Sequence, residues 1–281
     1  MTLTFRHRRS LLFVPAVRPD RYPKALATGV DSVCLDLEDG VGFGAKDDAR
    51  DKARRLLSER VPTEAEVVLR INDTKDALGQ RDLAAVVALV GAGAGPDALM
   101  LPKVSGPAEV VEVARTVGEI PLIVQIETAA GVAMARDIAV ASESISALFF
   151  GAIDFSADVG CAVEWDSLLH ARSEVVLACA IAGVSALDTP YMDVPALGTL
   201  ADESARSRRL GFGGKAAIHP TQVPVIQQAF TPAATEVAWA TRIVAAYENN
   251  QGGVLLVDGQ LIERPVIAAA QRMLQIARGR V

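Results

Sequence analysis

Eight short, near-continuously apolar runs recur along this chain, and their number constrains its fold more than any other feature. They are SLLFVPA (10–16), SVCLDLED (32–39), EVVLRIN (66–72), ALMLPKV (98–104), PLIVQIET (121–128), ISALFFGAID (145–154), VSALDTP (184–190) and GKAAIHP (214–220). Each is partly β-branched and ends in polar or turn residues, the pattern of a strand buried on both faces. Between them lie segments with helical spacing, among them 46–57, 81–90, 107–117 and 165–182. Strands and helices alternating in this number predict the α/β class and a closed (β/α)8 TIM barrel. An open doubly wound sheet is the alternative, and it would carry a GxGxxG turn after the first strand. The first run here leads into VPAVRPD, which has no glycine, and GAGAG at 91–95 follows a helix and reads as its stop.

The barrel takes residues 1–232, and the tail, 233–281, behaves differently. It reads as an amphipathic helix (235–250), a turn (249–253), a hairpin (254–262) with Asp-Gly at its tip, and a final helix (265–279). An appendage added after closure packs on the outside of the barrel or reaches a neighbour. So much Val and Leu in the hairpin favours the neighbour, and predicts a homo-oligomer.

Composition removes several classes of function. Hydrophobic residues make up 51% and the formal net charge is −6, so the chain is globular and has no basic footprint for nucleic acid. HRRSLLFVPA has the twin arginines of an export signal. Its apolar stretch stops at Pro15, however, and Arg18, Asp20 and Arg21 follow, too early for a secretory core. No apolar run is long enough to span a membrane. Cys34, Cys161 and Cys179 are odd in number and widely spaced, which excludes a disulfide scaffold or CxxC metal site and predicts buried, reduced thiols in a cytoplasmic protein.

In such barrels chemistry sits at the C-terminal ends of the strands. The polar residues there are Asp36, Glu38, Asp39, Arg70, Asn72, Lys103, Gln125, Glu127, Asp154, Asp188 and His219. Glu127 and Asp154 are the informative pair, ending runs five and six on strands about 4.8 Å apart. Two neighbouring carboxylates repel unless one is protonated or a cation lies between them. With no thiolate cluster and only three histidines, the donors suit Mg²⁺ rather than zinc. The competing reading is that Glu127-Thr128 merely caps the next helix. Arg70 has the geometry to grip a carboxylate bidentately, or to form a structural bridge with Asp36 or Glu38. Period-two alternation places Asp36 and Glu38 on one face, as support or as contacts to metal-bound water. Lys103 and Lys215 are candidates for a Schiff base, although neither has an evident partner to lower its pKa. His219, braced by Pro220, reads as a hydrogen-bonded histidine.

The strings RSLLFVPA with Lys24 downstream, LDLEDGV, LRIN, MLPKV, VQIETAAG, FFGAIDFSAD and GKAAIHPTQV span residues 9 to about 225. Together they resemble the citrate lyase beta-subunit-like family of acyl-CoA lyases, relatives of malyl-CoA and citramalyl-CoA lyases in the HpcH/HpaI aldolase superfamily. The resemblance implies a Mg²⁺-dependent barrel, a trimer or hexamer, with Glu127 and Asp154 as metal ligands. It implies that Arg70 and Glu127 bind the oxo-acid part of the substrate and that Phe13, Arg21 and Lys24 meet the CoA part. The backbone around Ala216 and Ala217 matches a further substrate-contacting stretch. Relatives active on CoA thioesters carry a catalytic aspartate on the C-terminal hairpin that enters the neighbouring subunit's site. The matching position in QLIERP is Glu263, a departure.

The expected activity is retro-Claisen cleavage of a 3-hydroxyacyl-CoA to acetyl-CoA and a 2-oxo acid, with Arg70 and Glu263 as the catalytic side chains. Three alternatives stay open: a malyl-CoA thioesterase, a citrate lyase beta subunit acting on a carrier-protein thioester, and a non-catalytic metal- and acyl-CoA-binding regulator.

Overall fold

A computed structural model of the chain describes residues 6–248, 255–257 and 259–277. The eight apolar runs all form strands: β1 Ser10–Pro15, β2 Ser32–Asp36, β3 Glu66–Arg70, β4 Ala98–Leu101, β5 Leu122–Ile126, β6 Ile145–Phe150, β7 Ser185–Asp188 and β8 Gly214–Ala217. All pair in parallel, each with the next, and β8 returns to β1 to close the barrel.

Period-two alternation divides the apolar residues between two cores. Leu11, Val68, Met100, Ile123, Phe149 and Leu187 point inward and fill the cylinder. Their neighbours Leu12, Val67, Leu99, Val124 and Leu148 point outward and pack under the surrounding helices. Each such side chain removed from water contributes roughly 1.5–3 kcal/mol. The helices Lys46–Glu59, Pro107–Val117 and Trp165–Ala182 follow the sequence periodicity closely, while Ala77–Gly91 starts a turn earlier than its apolar pattern suggests. Beyond Gly91 the chain turns through Gly93 at φ +71°, so GAGAG is a helix stop.

The N-terminal end of the cylinder is plugged. Arg8 donates from Nε and Nη2 to the two Glu66 oxygens at 2.7 Å, and from Nη2 to Ser146 Oγ at 3.1 Å. Ser32 Oγ donates to Glu66 at 2.7 Å. A Cβ on Gly214 would lie 1.8 Å from the Arg8 carbonyl oxygen, so the plug passes where only glycine fits. With one end sealed, the other is left for ligands.

Several sequence expectations shift at strand ends. Residues 145–154 do not form one strand: β6 stops at Phe150, and Asp154 lies in the first turn of the helix Ala152–Val159. Glu127 is the residue after β5, not its last. Asp188 ends β7 but faces outward, buried with Lys215 and Arg172 beneath the outer helices. Cys34 and Cys179 are buried free thiols, whereas Cys161 is only half-buried.

In the tail, the helix Ala234–Glu248, β9 Leu255–Val257, β10 Gln260–Ile262 and the helix Arg264–Ala277 enclose their own small core of Ala240, Ile243, Ile262, Ile267 and Ala270. The two strands are antiparallel with Leu261 opposite Leu256, and those two leucines are 54% and 63% exposed. The predicted turn at 249–253, Asp258 of the Asp-Gly tip and the helix beyond 277 lie outside the described residues. Among the described residues no helix is long and apolar enough to cross a membrane.

Candidate active site

The open end of the barrel gathers charge around Arg70. Its Nε and Nη2 donate to Asp36 Oδ1 and Oδ2, both at 2.8 Å, and Nη1 lies 2.9 Å from Glu38 Oε2. The guanidinium stacks 4.7 Å above the Phe13 ring, which meets Phe149 edge-on at 5.9 Å. Burial opposes charge on Arg70, but Asp36 and Glu38 outweigh it and hold the guanidinium firmly protonated. Asp36 is set by the chain that follows it: the N–H groups of Glu38 and Gly40 donate to its two oxygens at 2.8 Å. Burial raises its pKa, yet Arg70 and these two N–H groups outweigh that and keep it below the usual carboxylate range. Lys46 fixes the same loop, donating to the carbonyls of Leu37 and Glu38 at 2.8 and 2.7 Å. The bridge with Asp36 and Glu38 is thus real, and it fixes the orientation of Arg70, itself 7% exposed.

Beside this cluster stands Glu127, 1% exposed. Its Oε1 accepts from the Lys103 backbone N–H at 2.8 Å, and its Oε2 accepts from Gln125 Nε2. Helix capping falls to Thr128, whose Oγ1 accepts from Gly131 N at 2.9 Å, leaving Glu127 turned into the barrel mouth. A Cβ on Gly151 would sit 2.4 Å from Glu127 Oε2, so this carboxylate lies directly over the start of the next helix. That helix carries Asp154, half-buried, toward the same mouth.

Burial, then the nearby Asp154 and Glu38, push the Glu127 carboxyl up to about 8. Burial and Asp39 raise Asp154 as well. Burial is the larger cause in both, and the neighbouring carboxylates add to it; a cation between the two acids would relieve that repulsion. Their donors are hard oxygens, and among the described residues no set of three His, Cys, Asp or Glu side chains gathers to hold a metal. A two-carboxylate site of this kind fits Mg²⁺, which leaves most of its positions to water and substrate; Glu127 and Asp154 are the residues that would hold it.

Lys103 and Lys215 are not Schiff-base lysines. Lys103 Nζ lies 2.8 Å from Glu38 Oε1, and this pairing outweighs burial and raises its pKa. Lys215 Nζ donates to Asp188 at 2.9 Å and Glu203 at 2.8 Å, outside the barrel lumen.

A cavity of about 360 Å³ opens beside β1, lined by Phe13, Arg18, Arg21, Lys24, His219 and Pro220 among others. Arg18 is held by Asp20 through two 2.9 Å hydrogen bonds, whereas Arg21 and Lys24 stand exposed at the rim. Ala216 and Ala217 are fully buried in β8, and it is the chain just after them, Ile218 to Pro220, that reaches the cavity. Sequence reasoning missed Arg18 as a lining residue, whereas His219 is the hydrogen-bonded histidine it expected, with Nδ1 2.8 Å from Thr221 Oγ1. Glu263 is exposed, at the start of the final helix, where its carbonyl accepts from Val266 N at 2.9 Å.

A closed parallel barrel with a carboxylate pair and a carboxylate-bridged arginine at its mouth defines a TIM-barrel lyase. The chain belongs to the HpcH/HpaI aldolase/citrate lyase family, whose pattern matches residues 9–220, and a carbon–carbon bond lyase pattern of the TIM-barrel fold matches residues 163–278. It is 35% identical over 273 residues to a citrate lyase subunit beta-like protein of Mycobacterium tuberculosis, covering 95% of this chain and 94% of the relative. It is 30% identical over 295 residues to the mitochondrial citramalyl-CoA lyase of Rattus norvegicus, covering 96% and 86%. Among solved structures, CitE of M. tuberculosis in complex with magnesium, acetoacetate and coenzyme A superimposes with a TM-score of 0.81 at 33% identity, over 99% of this chain and 100% of that one.

Proposed function

We propose that this protein is a Mg²⁺-dependent lyase that cleaves a 3-hydroxyacyl-CoA of the malyl-CoA or citramalyl-CoA type to acetyl-CoA and a 2-oxo acid. The observation that carries this reading is the placing of the Glu127–Asp154 pair next to Arg70 at the open end of the barrel. The structure of CitE with magnesium, acetoacetate and coenzyme A supports it by likeness. Bound Mg²⁺ supplies Lewis acidity toward the substrate's hydroxyl and carboxylate oxygens.

Arg70 holds the carboxylate of the oxo-acid half with the N–H groups that Asp36 and Glu38 leave uncommitted. Phe13 forms the apolar floor beneath that guanidinium. Arg21 and Lys24, at the rim of the β1 cavity, receive the phosphates of CoA. The chain after Ala216 and Ala217 forms the opposite wall. When the C2–C3 bond breaks, its electron pair passes to the thioester as an enolate while the C3 oxygen becomes a carbonyl. The C3 hydroxyl proton passes to solvent, and Glu263, carrying a proton taken from solvent, delivers one to C2, so that no net proton is gained or lost. Glu263 follows β10 and precedes the final helix, exposed in its own chain, and this reading takes it from a neighbouring subunit of a trimer or hexamer.

The test is an end-point assay with malyl-CoA and citramalyl-CoA offered separately, with and without EDTA. Metal-dependent acetyl-CoA with an equimolar 2-oxo acid is the expected result. Free CoA without a 2-oxo acid would overturn the lyase reading in favour of thioester hydrolysis.

A further inference from the structure

Lys103 is the only non-glycine among the described residues with a positive φ, at +54°. Left-handed backbone is costly for a side-chain-bearing residue and persists where the surroundings enforce it, most often at functional sites. Here both halves of the residue are engaged. The turned backbone points its N–H at Glu127 Oε1, 2.8 Å away. The side chain reaches back so that Nζ lies 2.8 Å from Glu38 Oε1, while the other Glu38 oxygen faces Arg70 Nη1 at 2.9 Å. The Lys103 carbonyl is pinned in turn by Lys75 Nζ at 2.8 Å.

We propose that Lys103 is a positioning residue that couples the two halves of the site, its backbone orienting Glu127 and its ammonium setting Arg70, through Glu38, for a 2-oxo acid carboxylate. The inference rests on the proposed lyase reading and assigns within it a role that fold and family membership do not supply. Without the ammonium, Glu38 faces Arg70 alone, draws the guanidinium toward itself, and adds an unbalanced negative charge where an anionic substrate must bind. The ion pair with Glu38 also offsets the cost of the left-handed backbone. Once that ion pair is gone, any residue except glycine gains by relaxing, and the N–H leaves Glu127. Glycine adopts the same φ freely and keeps the N–H in place.

This logic separates the two roles experimentally. Lys103→Gly, Lys103→Met and Lys103→Arg proteins are compared with wild type by calorimetric titration of MgCl2, and then of pyruvate at saturating MgCl2, with glyoxylate in its place if wild type does not bind pyruvate. Thermal midpoints are recorded without metal. Lys103→Gly is expected to bind magnesium within about threefold of wild type and pyruvate about tenfold more weakly. Lys103→Met is expected to lose about tenfold in both. Lys103→Arg keeps both within a few-fold, because the charge opposite Glu38 remains. A merely structural lysine would lower the thermal midpoint without separating the two affinities.

Unchanged pyruvate affinity in Lys103→Gly overturns the role of the ammonium. Equal loss of magnesium in the glycine and methionine proteins overturns the role of the backbone. Wild-type protein that binds magnesium but no 2-oxo acid, or neither, would overturn the lyase reading and this inference together.

Discussion

Gly151 offers a direct test of how tightly Glu127 is held. A methyl group at this position would lie 2.4 Å from Glu127 Oε2, 2.6 Å from Glu127 Cβ and 3.1 Å from Gln125 Nε2. The first of these is about 1 Å short of ordinary van der Waals contact. The backbone cannot yield easily, because Gly151 N donates to the Ile126 carbonyl at 3.0 Å and Gly151 O accepts from Phe155 at 3.1 Å. Swinging the Glu127 carboxylate relieves the first contact but not the 2.6 Å approach to its Cβ, so the end of β5 or the start of the next helix must also shift, breaking the bonds to Lys103 N and Gln125. A displacement of about 1 Å at a reacting centre can cost about 100-fold in rate, and disturbing the groups that orient a metal ligand costs about 10- to 100-fold in metal affinity. Gly151→Ala is accordingly expected to weaken magnesium binding by about tenfold or more and to lower kcat/KM by about 100-fold. Overpacking should cost about 1–3 kcal/mol of stability. Calorimetric magnesium titration gives the affinity, and a thermal melt of the metal-free protein separates it from unfolding. A Gly151→Ala protein that binds magnesium within twofold of wild type would show that Glu127 does not hold the metal in this orientation.

Arg70→Lys keeps a charge but loses the paired bonds to Asp36, so KM for the CoA thioester should rise by about tenfold or more, read from initial rates. Asp188 lies between Arg172 and Lys215; burial raises its pKa, but those two cations outweigh that and hold it below the usual carboxylate value. Its stabilisation is therefore complete above about pH 4 and is lost as the pH falls through the lower folded value. Asp188→Asn should cost about 3–5 kcal/mol near neutral pH and flatten the acid limb of a midpoint-against-pH plot. Mixing Arg70→Ala with Glu263→Ala protein should restore part of the activity if a neighbour supplies Glu263. Hybrids that stay inactive despite proven subunit exchange would refute the shared site.

The barrel was legible because a parallel strand covered on both faces must be apolar throughout, and eight such runs leave few ways to close. The strand ends were harder to place. ISALFFGAID reads as one apolar run, yet Gly151 stops β6, and nothing in the hydrophobic pattern distinguishes Ala152 and Ile153 in a helix from the same residues in a strand. Asp36 and Glu38 were placed on one face by alternation, and the structure puts both on Arg70. Direction of facing was less readable at β7 and β8. Asp188 and Lys215 sit at strand positions as polar as those of the site, yet point outward, because there the polar layer is completed by Arg172 from the helix Trp165–Ala182 that leads into β7. The left-handed backbone at Lys103 had no sequence signal, since only glycine and asparagine advertise that conformation.

The seam that closes the cylinder has a consequence for how the chain acquires its shape. β1 and β8 meet through Ser10 with Lys215, Leu11 with Ala216 and Leu12 with Ala217. This contact joins the two ends of the barrel sequence, whereas every other strand pairs with its immediate successor. During synthesis β1 can dock on β2 early, but its far edge stays open until residue 217 has emerged. A ribosome-bound chain truncated before Gly214 would carry two unpaired strand edges, β1 and β7, both rich in apolar side chains. Closure is thus the late, long-range event in assembly, and the open edges of β1 and β7 before it are where a growing chain is exposed to wrong pairing.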